Sequence, residues 1–174
     1  MTYKHNKVLP VRLDLRYPKD HQGDGSNHDI ERLHKRVMRK SQYRKDDLNY
    51  ITVREQNTSK NPHYHSLLLA DGNRHQNPEA IRQLVEPIWL DIVGSDKKGL
   101  VHLCTHKAGD KVPRLEMIAR PSSRATGERL QQQKEDFERA KQIALDHADY
   151  LAKEATKGNA PDGVREMLAS QVRR

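Results

Sequence analysis

The chain has 174 residues, enough for one compact domain with a core and too few for two. Apolar residues make up 34% of it and aromatics 5%, so the core is small and most side chains must sit in water, while its one cysteine, Cys104, excludes an internal disulfide or a cysteine-rich zinc site. Thirty-two Lys and Arg against 24 Asp and Glu leave a net charge of +8, the balance of a protein that meets polyanions, nucleic acid first among them.

In chain order, Leu9, Val11, Leu13 and Leu15 alternate with Pro10, Arg12 and Asp14, the period of a half-buried strand. IERLHKRVMRK (30–40) spaces Ile30, Leu33, Val37 and Met38 as a helix, with His28 or Asp29 as its cap. NYITVRE (49–55) and HYHSLLLA (63–70) are strand-like and flank the polar turn segment QNTSKNP, which predicts an antiparallel hairpin. NPEAIRQLVEPIWLDIV (77–93) predicts a helix capped by Asn77 with Pro78 in its first turn, kinked or partly ended at Pro87. LVHLC (100–104) and RLEMIA (114–119) are further strand candidates, and a charged helix is expected from about Glu128 to Lys157, stopping at Gly158. The longest apolar run is LLLA at 67–70, so neither a signal peptide nor a membrane span is expected and a cytoplasmic protein is. The division expected is one domain over 1–157 and a tail or short helix over 158–174.

His63 and His65 lie two apart on a predicted strand, so both imidazoles leave one face and can reach a single metal ion. If the hairpin is symmetric about the 56–62 loop, Glu55 stands opposite His63 and Val53 opposite His65. Two imidazoles and a carboxylate leave coordination positions for water and a phosphate oxygen, which suits Mg²⁺ or Mn²⁺ as a Lewis acid on a phosphodiester. With 10 histidines in the chain the pair has a plain alternative, partly exposed strand residues beside a turn.

On the long helix, Phe137, Ala140, Ala144, Ala148, Leu151 and Ala155 fall within a sector of about 80° and form the packing stripe. Tyr150, Asp146, Lys153 and Lys157 gather on the opposite side, so Tyr150 stands among charges. A lysine one turn from a tyrosine can lower the phenol's pKa or hold a phosphate that it attacks. A solvated tyrosine is the alternative.

The segments VREQNTSKNPHYHSLLL (53–69) and ADYLAKEATK (148–157) resemble the pattern of HUH endonucleases, His-hydrophobic-His on a strand and Tyr-x-x-Lys on a downstream helix. With VRLDLRYP (11–18) they are similar, more narrowly, to the YagK/YfjJ family of prophage proteins, related to the second-gene replication initiators of inoviruses. The likeness spans most of residues 8–157. It implies an α+β fold, a central antiparallel sheet of four to five strands with helices packed on it, related to ferredoxin- and RRM-like folds. It implies His63, His65 and Glu55 as metal ligands, Tyr150 as nucleophile, and Lys153 and Lys157 as its basic neighbours. The activity implied is metal-dependent nicking and rejoining of single-stranded or origin DNA to start rolling-circle replication through a 5′-phosphotyrosyl intermediate, in the cytoplasm of a bacterial host. No second tyrosine follows Tyr150 within a turn and no P-loop motif is present, so one-tyrosine chemistry and a host helicase are implied. Arg12, Arg16, Arg54, Lys111, Arg114, Arg120 and Arg124 are candidates to track a DNA backbone. Two alternatives are a catalytically silent basic nucleic-acid-binding regulator on this scaffold, and a metal nuclease in which water replaces the tyrosine.

Overall fold

The computed structural model describes residues 1–2, 4–56, 60–105, 112–155 and 160–171, without the side chains of 154 and 155. The chain forms β1 (Lys7–Leu15), α1 (His28–Tyr43), β2 (Leu48–Glu55), β3 (His63–Asp71), α2 (Pro78–Val93), β4 (Val101–Leu103), β5 (Ile118–Ala119), α3 (Gly127–Ala155) and β6 (Met167–Ala169). The fold is α+β. One antiparallel sheet has the order β4-β1-β3-β2-β6, with β5 also on β1. It has six strands rather than four to five.

Strand alternation divides the core between two faces. Leu9, Val11, Leu13 and Leu15 of β1, with Tyr64 and Leu68 of β3, point to the face covered by α1 and α2. There they meet Ile30, Leu33 and Val37 of α1 and Ile81, Val85 and Trp89 of α2. The Trp89 indole N–H donates to the carbonyl of Arg16 at 2.8 Å, which satisfies the one polar atom of a fully buried ring. Val8 of β1, with Ile118 of β5, points the other way, against Ala140 and Ala144 of α3.

Pro10 sits in a central strand without breaking it, and the backbone parity says why. The Arg12 carbonyl accepts from Cys104 and the Arg16 amide donates to Leu100, so even-numbered residues of β1 turn their peptide groups toward β4. Pro10 therefore lacks its N–H where, among the described residues, β1 has no neighbour, between β5 at Lys7–Val8 and β4 at Leu13–Leu15.

Several boundaries differ from expectation. The cap of α1 is Asn27, not His28 or Asp29, and Asn27 makes no capping bond because its side chain is drawn to the Arg165 carbonyl and to Arg54. α2 runs through Pro87, held by seven buried apolar residues that span both sides of it, and closes at Gly94 in the left-handed region (φ 63). Asn77 caps it as expected, accepting from the Glu79 amide. Of 114–119 only Ile118–Ala119 is strand. The segment expected as a tail or short helix supplies β6, paired with Ile51–Val53 of β2. Gly158 lies outside the described residues.

Candidate active site

The hairpin has the register expected of it: Glu55 stands opposite His63, and Val53 opposite His65. On the other side of β3, His65 is opposite Asp14 of β1, which is itself opposite His102 of β4. Residues directly opposite in an antiparallel sheet share a face, so His63, His65, Glu55, Asp14 and His102 all project from the α3 side. Leu67 and Val53 continue that face into the packing under α3.

His65 is held from both sides. Its Nδ1 lies 2.7 Å from Asp14 Oδ1 and its Nε2 2.8 Å from Glu55 Oε2. Burial pushes its pKa down, but the bonds to Asp14 and Glu55 outweigh burial and leave it raised. Asp14 answers in kind: burial raises it, His65 and Cys104 lower it by more, and the net direction is down. His63 is moved the other way, lowered by burial and by the Arg16 guanidinium, both of which favour the neutral imidazole. The Cys104 thiol is pushed up to about 12 by burial and by Asp14, so it remains a thiol that donates to that carboxylate.

Tyr150 reaches this face through Arg12. The Arg12 guanidinium lies 5.2 Å from the centroid of the Tyr150 ring, and its Nε is 3.9 Å from Asp14 Oδ1. That Nε is buried and has no hydrogen-bond acceptor. Tyr150 is not on the far side of the helix from the core. The buried face of α3 includes Ile143 and His147 as well as Ala140, Ala144 and Leu151, and the wider sector brings Tyr150 to its edge. The ring is half-buried against Val53, Leu67 and Leu151.

His63, His65, Glu55 and Tyr150 are thus brought to one face, with Lys153 exposed one turn beyond Tyr150. Lys157 and Lys111 lie outside the described residues. Arg16 is exposed beside His63, and Arg114 and Arg124 are exposed in the segment between β4 and α3. Arg120 is bonded to Asn6 at the opposite end of β1. Arg54 is a correction: it is 3% exposed and points to the α1/α2 face, where it donates to the Ser26 carbonyl, Asn27 and Gln56. It ties β2 to the start of α1 and does not meet solvent.

Sequence reasoning missed Asp14 and Cys104, and it gave Arg12 a surface role. Asp14 carried no signal of its own, since in the alternation of β1 it fell with Arg12 on the polar side.

The donor types on this face, two imidazoles and two carboxylates, fit a divalent cation. Asp14 on Nδ1 sets the ring so that Nε2 is the ligand nitrogen, the arrangement in which an outer carboxylate orients a metal-binding histidine. Among the described residues, however, no three His, Cys, Asp or Glu side chains already converge as a metal cage. A cation would have to take the place of the contact between His65 Nε2 and Glu55.

An α+β protein with a histidine pair, His65 of it braced by two carboxylates, and a tyrosine on one sheet face is the class that the geometry defines. The chain belongs to the family of the YagK/YfjJ C-terminal domain, whose family model matches residues 2–165. Neither the curated proteins nor the solved structures compared with it give a match. Among the described residues no helix is long and apolar enough to cross a membrane.

Proposed function

We propose that this face nicks and rejoins single-stranded DNA by HUH-type transesterification, with Tyr150 as nucleophile, and that the reaction starts rolling-circle replication of a prophage-type element. The observation that carries the reading is the line of contact from Tyr150 through Arg12 to Asp14 and His65, which joins a tyrosine to a histidine pair from a distant part of the chain.

Each residue has a part that its surroundings suit. Asp14 holds the His65 ring, and Glu55 and the neutral His63 complete a set of donors. Mg²⁺ or Mn²⁺ held by His63, His65 and Glu55 would supply Lewis-acid polarisation of the scissile phosphate. The Arg12 Nε–H lacks an acceptor that a phosphate oxygen would provide. Tyr150 Oη loses its proton and bonds to phosphorus, the bond from phosphorus to the 3′ oxygen breaks, and that oxygen takes up a proton as a 3′-hydroxyl. Attack by the same hydroxyl reverses the step and rejoins the strand. Lys153, and Lys157 beyond it, would steady charge on the phosphate. Origin DNA is the partner, and a host helicase in the bacterial cytoplasm opens the duplex.

Incubation with Mn²⁺ and labelled single-stranded DNA of the encoding replicon should give a covalent adduct on a denaturing gel. Tyr150→Phe should abolish it, as should His63→Ala or His65→Ala. An adduct that survives Tyr150→Phe would remove the tyrosine from the mechanism.

A second reading has its own support. With His65 Nε2 engaged by Glu55 and no cage formed among the described residues, the scaffold also suits a silent nucleic-acid-binding regulator. Salt-sensitive, chelator-insensitive binding without adduct would favour it.

A further inference from the structure

The net charge of the chain is not spread over its surface. The stretch 32–45 carries seven Lys and Arg and no acid, so of the net +8 the remaining 160 residues together account for +1. Nearly all of this stretch belongs to α1, on the face of the sheet opposite His63, His65 and Tyr150.

At 100° per residue, Arg32, Arg36, Arg39 and Tyr43 fall in a sector of about 60°, with Lys35 and Lys40 at its flanks. Ile30, Leu33, Val37 and Ser41 occupy the opposite side and are buried. The outer stripe is therefore a straight row about 16 Å long, and it ends in a tyrosine that is 90% exposed. Arg36 pairs with Asp91 of α2 and Arg32 lies near Asp29. Among the described residues, Lys35, Arg39, Lys40, Arg44 and Lys45 have no carboxylate within ion-pair distance.

We infer that the outer face of α1 is a docking ridge for double-stranded DNA. Charge complementarity selects a polyanion, and the shape of the ridge selects which one. An anionic membrane would need an apolar face on the helix, and the apolar face of α1 is buried in the core of the protein. A single strand is gripped by a groove with several aromatic platforms, whereas this is a convex ridge with one tyrosine. A duplex offers phosphates at one charge per about 1.7 Å of its axis, and its grooves and backbone accept a rigid row of arginines. The tyrosine hydroxyl at the end of the row can donate to a phosphate oxygen.

The test uses the full chain with three probes: a fluorescein-labelled DNA duplex of about 20 base pairs, two helical turns, the matching single strand, and an RNA duplex. Binding is followed by fluorescence anisotropy between about 50 and 200 mM salt. Wild type should bind the DNA duplex, and the ridge variants should lose affinity for it while keeping that for the single strand. Arg32→Gln, Arg39→Gln and Lys40→Gln combined should weaken that binding about tenfold or more and reduce the log–log salt slope by about 2 to 3, near 0.9 per lost phosphate contact. Tyr43→Ala should weaken it with no change of slope. Each of these side chains faces water, so circular dichroism and the unfolding midpoint should not move. Should the triple variant fail to fold, Arg39→Gln and Lys40→Gln separately carry the test, each with a slope loss near 0.9. Equal duplex affinity in the variants, or a loss on the single strand or the RNA as large as that on the DNA duplex, overturns the assignment. Adduct formation on single-stranded DNA is a separate readout, because none of these residues lies on the Tyr150 face.

Discussion

His34 shows how one buried polar side chain ties α1 to the sheet. Its ring stacks on Tyr50 with centroids 3.8 Å apart, and its Nε2 lies 2.9 Å from Thr52 Oγ1, which in turn meets Ser66 Oγ at 2.8 Å. Burial pulls its pKa down to about 3 from an ordinary value of 6.5. Above pH 6.5 both folded and unfolded chains hold it neutral, and it contributes no pH dependence. Below that, the unfolded chain takes up a proton that the folded chain refuses, so stability falls with pH until the folded ring also titrates near 3. The slope from this one group approaches about 1.4 kcal/mol per pH unit. In His34→Phe the stack is kept and the titration is gone. Urea unfolding between pH 6.5 and 4 should therefore show a flatter acid limb for the variant, offset by about 1 kcal/mol at neutral pH for the lost hydrogen bond. Parallel limbs would mean that His34 is protonated in the folded state. Nothing in the sequence marked His34, since a histidine on a helix next to basic residues reads as surface. His63, His65 and Glu55 were legible because two strands and one short loop fix their relation locally. Asp14 and Arg12 were not, because they meet His65 and Tyr150 only once β1 is placed beside β3, a pairing across about fifty residues.

At the scale of elements, the long periodic segments were legible, the short β4 and β5 were legible as strands with bounds drawn too wide, and β6 was not. Three strong apolar patterns gave α1, α2 and the β2–β3 hairpin. MLA at 167–169 has too few residues to show alternation, and its Met, Leu and Ala are helix formers; it is a strand because β2 offers it an edge. The contacts that follow are long-range. Arg54 N–H donates to the Glu166 carbonyl at 2.8 Å, Ser170 N–H to the Tyr50 carbonyl at 3.0 Å, and Asn27 Nδ2–H to the Arg165 carbonyl at 2.7 Å. Ending the chain after Ala160 would open the β2 edge and strip partners from Asn27 and Arg54. At about 1 kcal/mol for each hydrogen bond lost, the cost is several kcal/mol, and an exposed strand edge invites pairing between chains. The truncated protein should unfold at a lower temperature and gain mass with concentration in light scattering. If it stays monomeric with an unchanged midpoint, β6 contributes nothing to the sheet.

Across the whole molecule, the sheet is a partition. One face carries α3, the histidines and Tyr150; the other carries α2, the larger core and the basic ridge of α1. Sequence periodicity could assign residues to the inside or outside of each element, but not say which outside belonged to which face, so the concentration of charge on α1 had no evident meaning before the topology was known. The separation makes a quantitative statement about a DNA molecule in which a duplex adjoins a single strand. Arg16→Gln removes a cation beside His63, and the combined Arg32→Gln, Arg39→Gln, Lys40→Gln variant removes three from the ridge. With a helix and a sheet between the two sets, no side chain or backbone shift is shared, and their effects on the binding free energy should add to within about 0.5 kcal/mol. The salt slopes should add as well, near 0.7 for the single-stranded contact and 0.9 for each duplex contact. Anisotropy titrations of wild type, the two variants and their combination on one junction probe measure every term. If the combined protein loses no more than the ridge variant alone, the two sets of cations follow a single phosphate path, and the two faces do not engage DNA separately.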